Sequence, residues 1–218
     1  MATLQVSATT TPTVTATYNG VTLNSTLTVN PYQATSIAAS PSTILGGDST
    51  AGTVTINAAA PTGGIVVNLT SNSSAMAVPA SVTIPAGSTS VAFSATTIPV
   101  LAATNVTIQA AYGSQTPATA SATVDPPAIL VCSFVPDTVP GGAQTTLYVF
   151  LTGATAPGAT LNVTCNSTRL TVGTTLTCVA GMPVQFFTLP TIAGAPTTVQ
   201  LTLTTNGSSS TSILTLTP

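Results

Sequence analysis

Short segments in which apolar residues alternate with threonine or another small polar residue run through the whole sequence. Residues 21–29 read VTLNSTLTV, and residues 104–112 read TNVTIQAAY with the same period. A period of two is typical of a strand with one buried and one exposed face, whereas a helix repeats about every 3.6 residues. Turns with Gly, Pro, Asn or Ser separate these segments. The chain is therefore predicted to be all-β.

The alternating segments belong to an internal repeat. Gly46-Gly47 recurs as Gly141-Gly142, and Pro41 recurs as Pro136, in both cases about 95 residues later. Further matches keep the same order along the chain. We therefore predict two complete domains, residues 32–126 (unit 1) and residues 127–218 (unit 2).

Unit 1 is expected to hold seven strands, near 36–44, 53–59, 65–71, 81–85, 89–97, 104–112 and 116–124. Seven short alternating strands in about 95 residues predict an antiparallel β-sandwich of immunoglobulin type. On the sixth strand, alternation places Val106, Ile108, Ala110 and Tyr112 inward. The predicted fold class is tandem immunoglobulin-like antiparallel β-sandwiches.

Residues 1–31 resemble the end of a further repeat. Leu4–Thr10 matches the fifth strand of unit 1, Val14–Tyr18 the sixth and Val21–Val29 the seventh, with a hairpin turn at Asn19-Gly20. Three strands cannot close a sandwich, so an apolar face would stay exposed unless something covers it. The candidate assembly residues on this face are Val14, Ala16, Tyr18, Val21, Leu23, Leu27 and Val29.

Two explanations for this partial repeat stay open. Residue 1 is an artificial start inside a longer tandem chain, and a preceding repeat supplies the missing strands. Alternatively, another copy supplies them by β-strand addition, which would make residues 1–31 the joint of a polymer.

The phrases ATYNGVTLNSTLTVNP and VPASVTIPAGSTSVAFSATT resemble the tandem immunoglobulin-like repeats of very large secreted bacterial surface proteins. The resemblance covers residues 1–126 well and residues 127–218 more loosely. It implies sandwiches strung in series as a stalk, adhesin or filament, and it does not imply an enzyme.

Charged residues make up 2% of the chain, where a soluble domain usually has roughly 25%. With a single Arg and no Lys, the chain cannot neutralise a run of phosphates, which argues against nucleic-acid binding. No apolar run approaches the roughly 18 residues that span a bilayer. With no His, Glu or Lys, general acid–base or nucleophilic catalysis has no suitable base, so no enzyme activity and no cofactor are expected.

Metal sites are also not expected. The three Asp residues are scattered singly, whereas Ca²⁺ takes six to eight oxygen ligands; Asp125, at the junction of the units, is the least unfavourable candidate. The cysteines, Cys132, Cys165 and Cys178, offer no His or CxxC spacing for zinc. They are either buried free thiols or one disulfide with a thiol left over. The preferred pair is Cys165–Cys178, which closes a short loop, and the other pairings stay open.

Asn-x-Ser/Thr sequons provide seven candidate glycosylation sites. These are Asn24, Asn68, Asn72, Asn105, Asn162, Asn166 and Asn206. Alternation places most of them on outward faces, where glycans would add the solvation that charges do not. A Thr-rich outer face that happens to contain Asn explains the same pattern.

The leading functional hypothesis is a structural protein, a subunit or segment of an extracellular filament, stalk or sheath. Its partners would be further copies of the chain or neighbouring repeats, with glycans as possible additional partners. One alternative is an adhesin or carbohydrate-binding module at the cell surface, and another is a phage or virion decoration protein.

Overall fold

A computed structural model describes residues 4–218 of the chain. All regular structure among these residues is β-structure, which confirms the all-β prediction. The bounds are β1 (Thr13–Tyr18), β2 (Val21–Thr26), β3 (Ala34–Ser40), β4 (Thr43–Leu45), β5 (Ser49–Ile56), β6 (Ile65–Ser71), β7 (Met76–Ala77), β8 (Ser81–Ile84), β9 (Ser90–Thr97), β10 (Thr104–Ala111), β11 (Ala118–Asp125), β12 (Ile129–Val135), β13 (Thr138–Pro140), β14 (Gln144–Leu151), β15 (Thr160–Cys165), β16 (Thr175–Thr177), β17 (Val184–Pro190), β18 (Thr197–Thr205) and β19 (Ser208–Thr217).

Each unit consists of two sheets packed around a core of its own. In unit 1, a sheet with the strand order β3-β5-β9-β7 faces a sheet with the strand order β4-β11-β10-β6-β8. In unit 2, a sheet with the strand order β12-β14-β17 faces a sheet with the strand order β13-β19-β18-β15-β16. The two hydrophobic cores share no buried residue, so the chain carries two immunoglobulin-like sandwiches in tandem.

The inward residues of unit 1 are those that alternation predicted. Val106, Ile108 and Ala110 on β10 are all buried to 1% exposure or less, and Tyr112, just beyond this strand, is half-buried. The intervening Asn105 and Gln109 are exposed. Period-two alternation was therefore sufficient to orient this strand.

The first predicted strand of unit 1 is divided in two, and unit 2 begins with a divided strand as well. In unit 1 it breaks at Pro41 into β3 and β4, and in unit 2 at Pro136 into β12 and β13. Proline cannot donate to a strand ladder, which favours a break at this point. The second half then joins the opposite sheet, where β4 pairs with β11 and β13 with β19 in parallel. Each otherwise antiparallel sandwich therefore contains one parallel pair.

The amino-terminal segment contains two strands rather than the three expected, so the prediction of a strand at Leu4–Thr10 is wrong. β1 and β2 form an antiparallel hairpin, but residues 4–9 form no strand and Thr10 makes only an isolated bridge with Val29. In unit 1, the strand that corresponds to Leu4–Thr10 is β9, which pairs with β5. Among the described residues, residues 4–9 form no such pairing, so the alternation there is not accompanied by a strand ladder.

Candidate interaction surfaces

The β1–β2 hairpin has one polar and one apolar face. In its register Val14 lies opposite Ser25, Ala16 opposite Leu23, and Tyr18 opposite Val21. These six residues share a face because directly opposite residues point to the same side of a sheet. They are called the hairpin face below.

The hairpin face is exposed where its largest side chains lie. Tyr18 is 80% exposed, Leu23 71% and Val21 65%. Ala16 is also exposed, and Val14 is half-buried. The remaining candidates, Leu27 and Val29, lie beyond β2 and are half-buried. The structure thus places five of the seven predicted assembly residues on one apolar face of the hairpin.

The opposite face of the hairpin is satisfied by its own hydrogen bonds. The Thr15 hydroxyl donates to Asn24 Oδ1 at 2.8 Å, and the hydroxyls of Thr17 and Thr22 lie 3.1 Å apart. Cross-strand pairs of this kind stabilise a two-stranded sheet. The polar face therefore explains how the hairpin forms, while the apolar face has no partner among the described residues.

The hairpin adjoins the end of unit 1 at which the β10–β11 turn lies. The side-chain amide of Gln115 donates to the carbonyl of Ser7 at 2.7 Å. Next to this bond, Tyr32 and Tyr112 meet edge to face with their ring centroids 6.5 Å apart. The first contact involves the segment before β1 and the second involves Tyr32, which follows β2, and neither covers the hairpin face.

A second exposed apolar surface lies on unit 2, and the sequence analysis did not identify it. It is the outward side of the sheet β12-β14-β17, where cross-strand neighbours form three rows. The rows are Val131–Phe150–Val184, Ser133–Tyr148–Phe186 and Val135–Thr146–Thr188. We call these nine residues the unit 2 face. The signal was available in the sequence as the pairs Tyr148/Phe150 and Val184/Phe186 at outward positions of alternating strands.

All seven sequon asparagines are exposed. Two of them use the carbonyl oxygen of the side chain to hold the backbone: Asn72 Oδ1 accepts from Thr107 N at 2.8 Å, and Asn166 Oδ1 accepts from Gln200 N at 2.8 Å. Asn206 occupies a turn at a φ of 46° and donates its amide to the carbonyl of Pro127 at 3.3 Å. These bonds give the residues local structural roles, and glycosylation remains a prediction.

The preferred disulfide is wrong, since the three cysteines are free thiols. In the β15–β16 hairpin, Thr160 pairs with Thr177, and the Cys178 amide donates to Ala159 at the start of β15. Cys165 lies at the other end of that strand. Six residues of strand span about 20 Å, whereas disulfide-linked Cα atoms lie within about 7 Å of each other.

The thiols of Cys132 and Cys178 are buried in unit 2, and burial raises the pKa of both. For Cys132 a side-chain hydrogen bond with Ser210 acts in the opposite direction but is the smaller effect. A thiol that resists ionisation is a poor nucleophile. These two cysteines therefore serve as small apolar core residues.

Arg169 is partly buried. Its Nε donates to the carbonyl of Ile192 at 2.8 Å, and one terminal nitrogen donates to the carbonyl of Ala195 at 2.9 Å. The other terminal nitrogen is buried without a hydrogen-bond partner. The chain's one basic side chain thus fixes the loop between β17 and β18.

Within residues 4–218, no three His, Cys, Asp or Glu residues come together as metal ligands would. The same residues include no helix of the length and hydropathy needed to cross a bilayer. The described surface thus offers apolar sheet faces rather than clustered titratable groups.

No family profile matches the chain, and no curated protein sequence does either. Several solved structures are similar in fold. The D0–D1 domains of intimin share 11% identity with a TM-score of 0.38, covering 85% of this chain and 100% of theirs. The adhesin InvE of Yersinia pseudotuberculosis shares 17% identity with a TM-score of 0.46, covering 83% of this chain and 58% of its own. Domains 4 and 5 of the S-layer protein SbsC share 15% identity with a TM-score of 0.29, covering 70% of this chain and 77% of theirs.

The chain is similar in fold to tandem immunoglobulin-like domains of bacterial surface proteins. It resembles them in architecture, at identities far below those that carry function across. The strand order and register of the two units define the fold on their own.

Proposed function

We propose that the chain is a non-catalytic structural or adhesive segment of an extracellular surface protein, and that it associates with further copies through the β1–β2 hairpin. The observation that carries this proposal is the hairpin face, on which Tyr18, Val21 and Leu23 are each at least 65% exposed. Contiguous exposed apolar surface marks interaction sites on proteins. A filament, stalk or sheath built from tandem sandwiches is the finer form of the proposal.

The near absence of charge supports a role in assembly. Soluble β-proteins commonly protect exposed strand edges with Lys and other charges. This chain has three acidic residues, one basic residue and no His. Copies of it can approach each other without strong like-charge repulsion, and their association should depend little on salt.

The structure also bears on how the hairpin would be joined. In each unit the last two strands, β10–β11 and β18–β19, already occupy their own sheet. A second copy therefore offers no vacant place for β1 and β2 inside a sandwich. Within a homopolymer, packing of the hairpin face on another surface is favoured over insertion of its strands.

Sedimentation of the full chain tests this proposal against the monomer mass of 21.3 kDa. The decisive variant is Val21→Thr/Leu23→Thr, which gives the hairpin face the composition of its opposite face. We expect the native chain to associate reversibly as its concentration rises and the variant to stay monomeric. Thr22→Ser, on the polar face, is the matched control and should associate like the native chain. A native chain that remains monomeric at millimolar concentration would refute the proposed self-association.

A further inference from the structure

The unit 2 face is apolar in a way that its fold does not require. Phe186 is 65% exposed, Val131 48% and Phe150 41%, and Tyr148 and Val184 are half-buried beside them. Directly paired side chains lie about 5 Å apart and diagonal pairs about 7–8 Å, so these residues form one continuous patch.

Unit 1 provides an internal comparison because the repeat and the strand register place the same nine positions on its own sheet β3-β5-β9. The corresponding rows are Ser36–Thr55–Ser90, Ala38–Thr53–Ala92 and Ser40–Ala51–Ser94. Every side chain in these rows is small. An immunoglobulin-like sandwich of this repeat therefore forms without large apolar residues on that surface, and their presence on unit 2 calls for a separate explanation.

We propose that the unit 2 face binds the hairpin face of a second copy, so that copies join head to tail. This inference rests on the proposed self-association and names the surface that accepts the hairpin. Both surfaces are antiparallel sheet faces, and aligned packing of two such faces is the arrangement found inside β-sandwiches. None of the four charged residues lies on β1, β2, β12, β14 or β17, so no charge has to be desolvated when they meet.

The two surfaces match in size. Each face runs over five residues of a strand, about 17 Å, and the hairpin face is about 10 Å wide against about 14 Å for the three strands of the unit 2 face, so it fits within that face. The contact would remove on the order of 400 Å² of surface in total, well below the roughly 1,200 Å² of a stable interface. A single contact of this size is thus expected to be weak.

Unit 1 separates the two surfaces within one chain. The hairpin precedes β3 at the end where Tyr32 meets Tyr112, whereas unit 2 follows the opposite end of β11. The eight residues of β11 span about 25 Å. The contact is therefore expected between chains. Because it joins two different surfaces, it does not close as a two-fold dimer does, and it extends into an open polymer unless a ring forms.

Two full-length variants that each lose one surface test the inference. Phe150→Thr/Phe186→Ala gives unit 2 the residues that unit 1 has at Thr55 and Ala92, which the same fold already accommodates. Val21→Thr/Leu23→Thr removes the hairpin face. Sedimentation from tens of micromolar to about one millimolar should show at least a tenfold weaker self-association for each variant alone. Circular dichroism and thermal melting of each variant establish that it is folded.

Mixing the two variants gives the sharpest result. Each retains the surface that the other lacks, so the mixture should form 1:1 heterodimers and no longer species. Native self-association that persists in the unit 2 variant would overturn this inference while leaving the hairpin proposal intact. The inference would also be overturned if the unit 2 variant lost binding to a neutral polysaccharide while its self-association stayed unchanged. The unit 2 face would then be a glycan-binding surface. Absence of self-association in the native chain would instead remove the proposed function itself.

Discussion

The contact between Gly52 and Phe93 in the core of unit 1 yields a prediction whose size can be worked out from the structure. The two residues are direct cross-strand partners on β5 and β9, and the Phe93 ring fills the space above the glycine. A Cβ added at Gly52 would lie 2.2 Å from Phe93 Cζ and 2.5 Å from Cε1. Gly52→Ala must therefore displace the ring.

The expected cost follows from what the ring loses. Phe93 is 8% exposed, and removing a buried Phe side chain costs about 3–5 kcal/mol. Replacing a strand glycine with alanine returns about 0.5–1 kcal/mol. With partial relaxation of the ring, Gly52→Ala should lower the free energy of unfolding of unit 1 by about 2–3 kcal/mol. For a domain of this size that lowers the Tm by about 10–20 °C.

Calorimetry of the full chain measures this effect, and the cysteines of unit 2 assign the transitions. Cys132 and Cys178 become reactive to a thiol reagent when unit 2 unfolds, whereas unit 1 has no cysteine. Gly52→Ala should lower the Tm of the transition in which no thiol becomes reactive, which is the unfolding of unit 1. Gly173→Ala is the control, because its added Cβ would meet nothing closer than 3.6 Å.

A double-mutant cycle makes the reasoning refutable. Phe93→Leu removes the atoms that clash, so Gly52→Ala should cost at least 1 kcal/mol less in that background than in the native chain. Additive effects, or a native Tm for Gly52→Ala, would show that the ring does not occupy the space above Gly52.

Three further predictions concern unit 2 and its junction with unit 1. Burial raises the pKa of Cys132 and Cys178 above the ordinary value of 9.0. Their contribution to the free energy of unfolding is therefore complete below pH 9. It is lost as the pH rises further, because the thiols of the unfolded chain ionise while those of the folded chain do not. Thermal melting between pH 7 and about 10.5 should show this decline, and a Cys132→Ala/Cys178→Ala variant should reduce it. Arg169→Met should lower the free energy of unfolding of unit 2 by about 2–4 kcal/mol in denaturant unfolding, because two loop carbonyls lose charged hydrogen-bond donors. A change near zero would indicate that Arg169 is fully solvated. At the junction, a Cβ at Gly153 would lie 2.6 Å from Leu45 Cδ2, so Gly153→Val should shift the units apart. Small-angle scattering would detect the altered interdomain distance, and an unchanged profile would show that Leu45 simply rotates away.

The prediction from sequence succeeded where one strand and its turn carry the information. Alternation alone oriented Val106, Ile108 and Ala110 inward, since side chains on a strand point to alternate faces whatever the strand pairs with. The predicted Asn19-Gly20 turn is also local, and Asn19 adopts the positive φ that such a turn requires. The paired exposed aromatics of unit 2 were equally readable but were not recognised as a surface.

The failures occurred where the answer depends on which residues a strand pairs with. Leu4–Thr10 has the alternation of a strand, but among these residues only Thr10 is paired, through an isolated bridge with Val29. Cys165 and Cys178 are close in sequence but lie at opposite ends of β15 because of the register of the β15–β16 hairpin. The number of residues between the two cysteines gives the length of the loop that a disulfide would close. It does not tell which residues of β15 and β16 pair with each other, and that pairing sets the distance between the cysteines.

The sequence by itself determined that this chain is all-β, that it repeats, and that its surface is almost uncharged, because strand period, repeat offset and composition are properties of the chain alone. Only the tertiary structure decided which faces find a partner. Burial is a property of neighbours, and it leaves Tyr18, Val21 and Leu23 of the hairpin and Phe150 and Phe186 of unit 2 exposed to solvent.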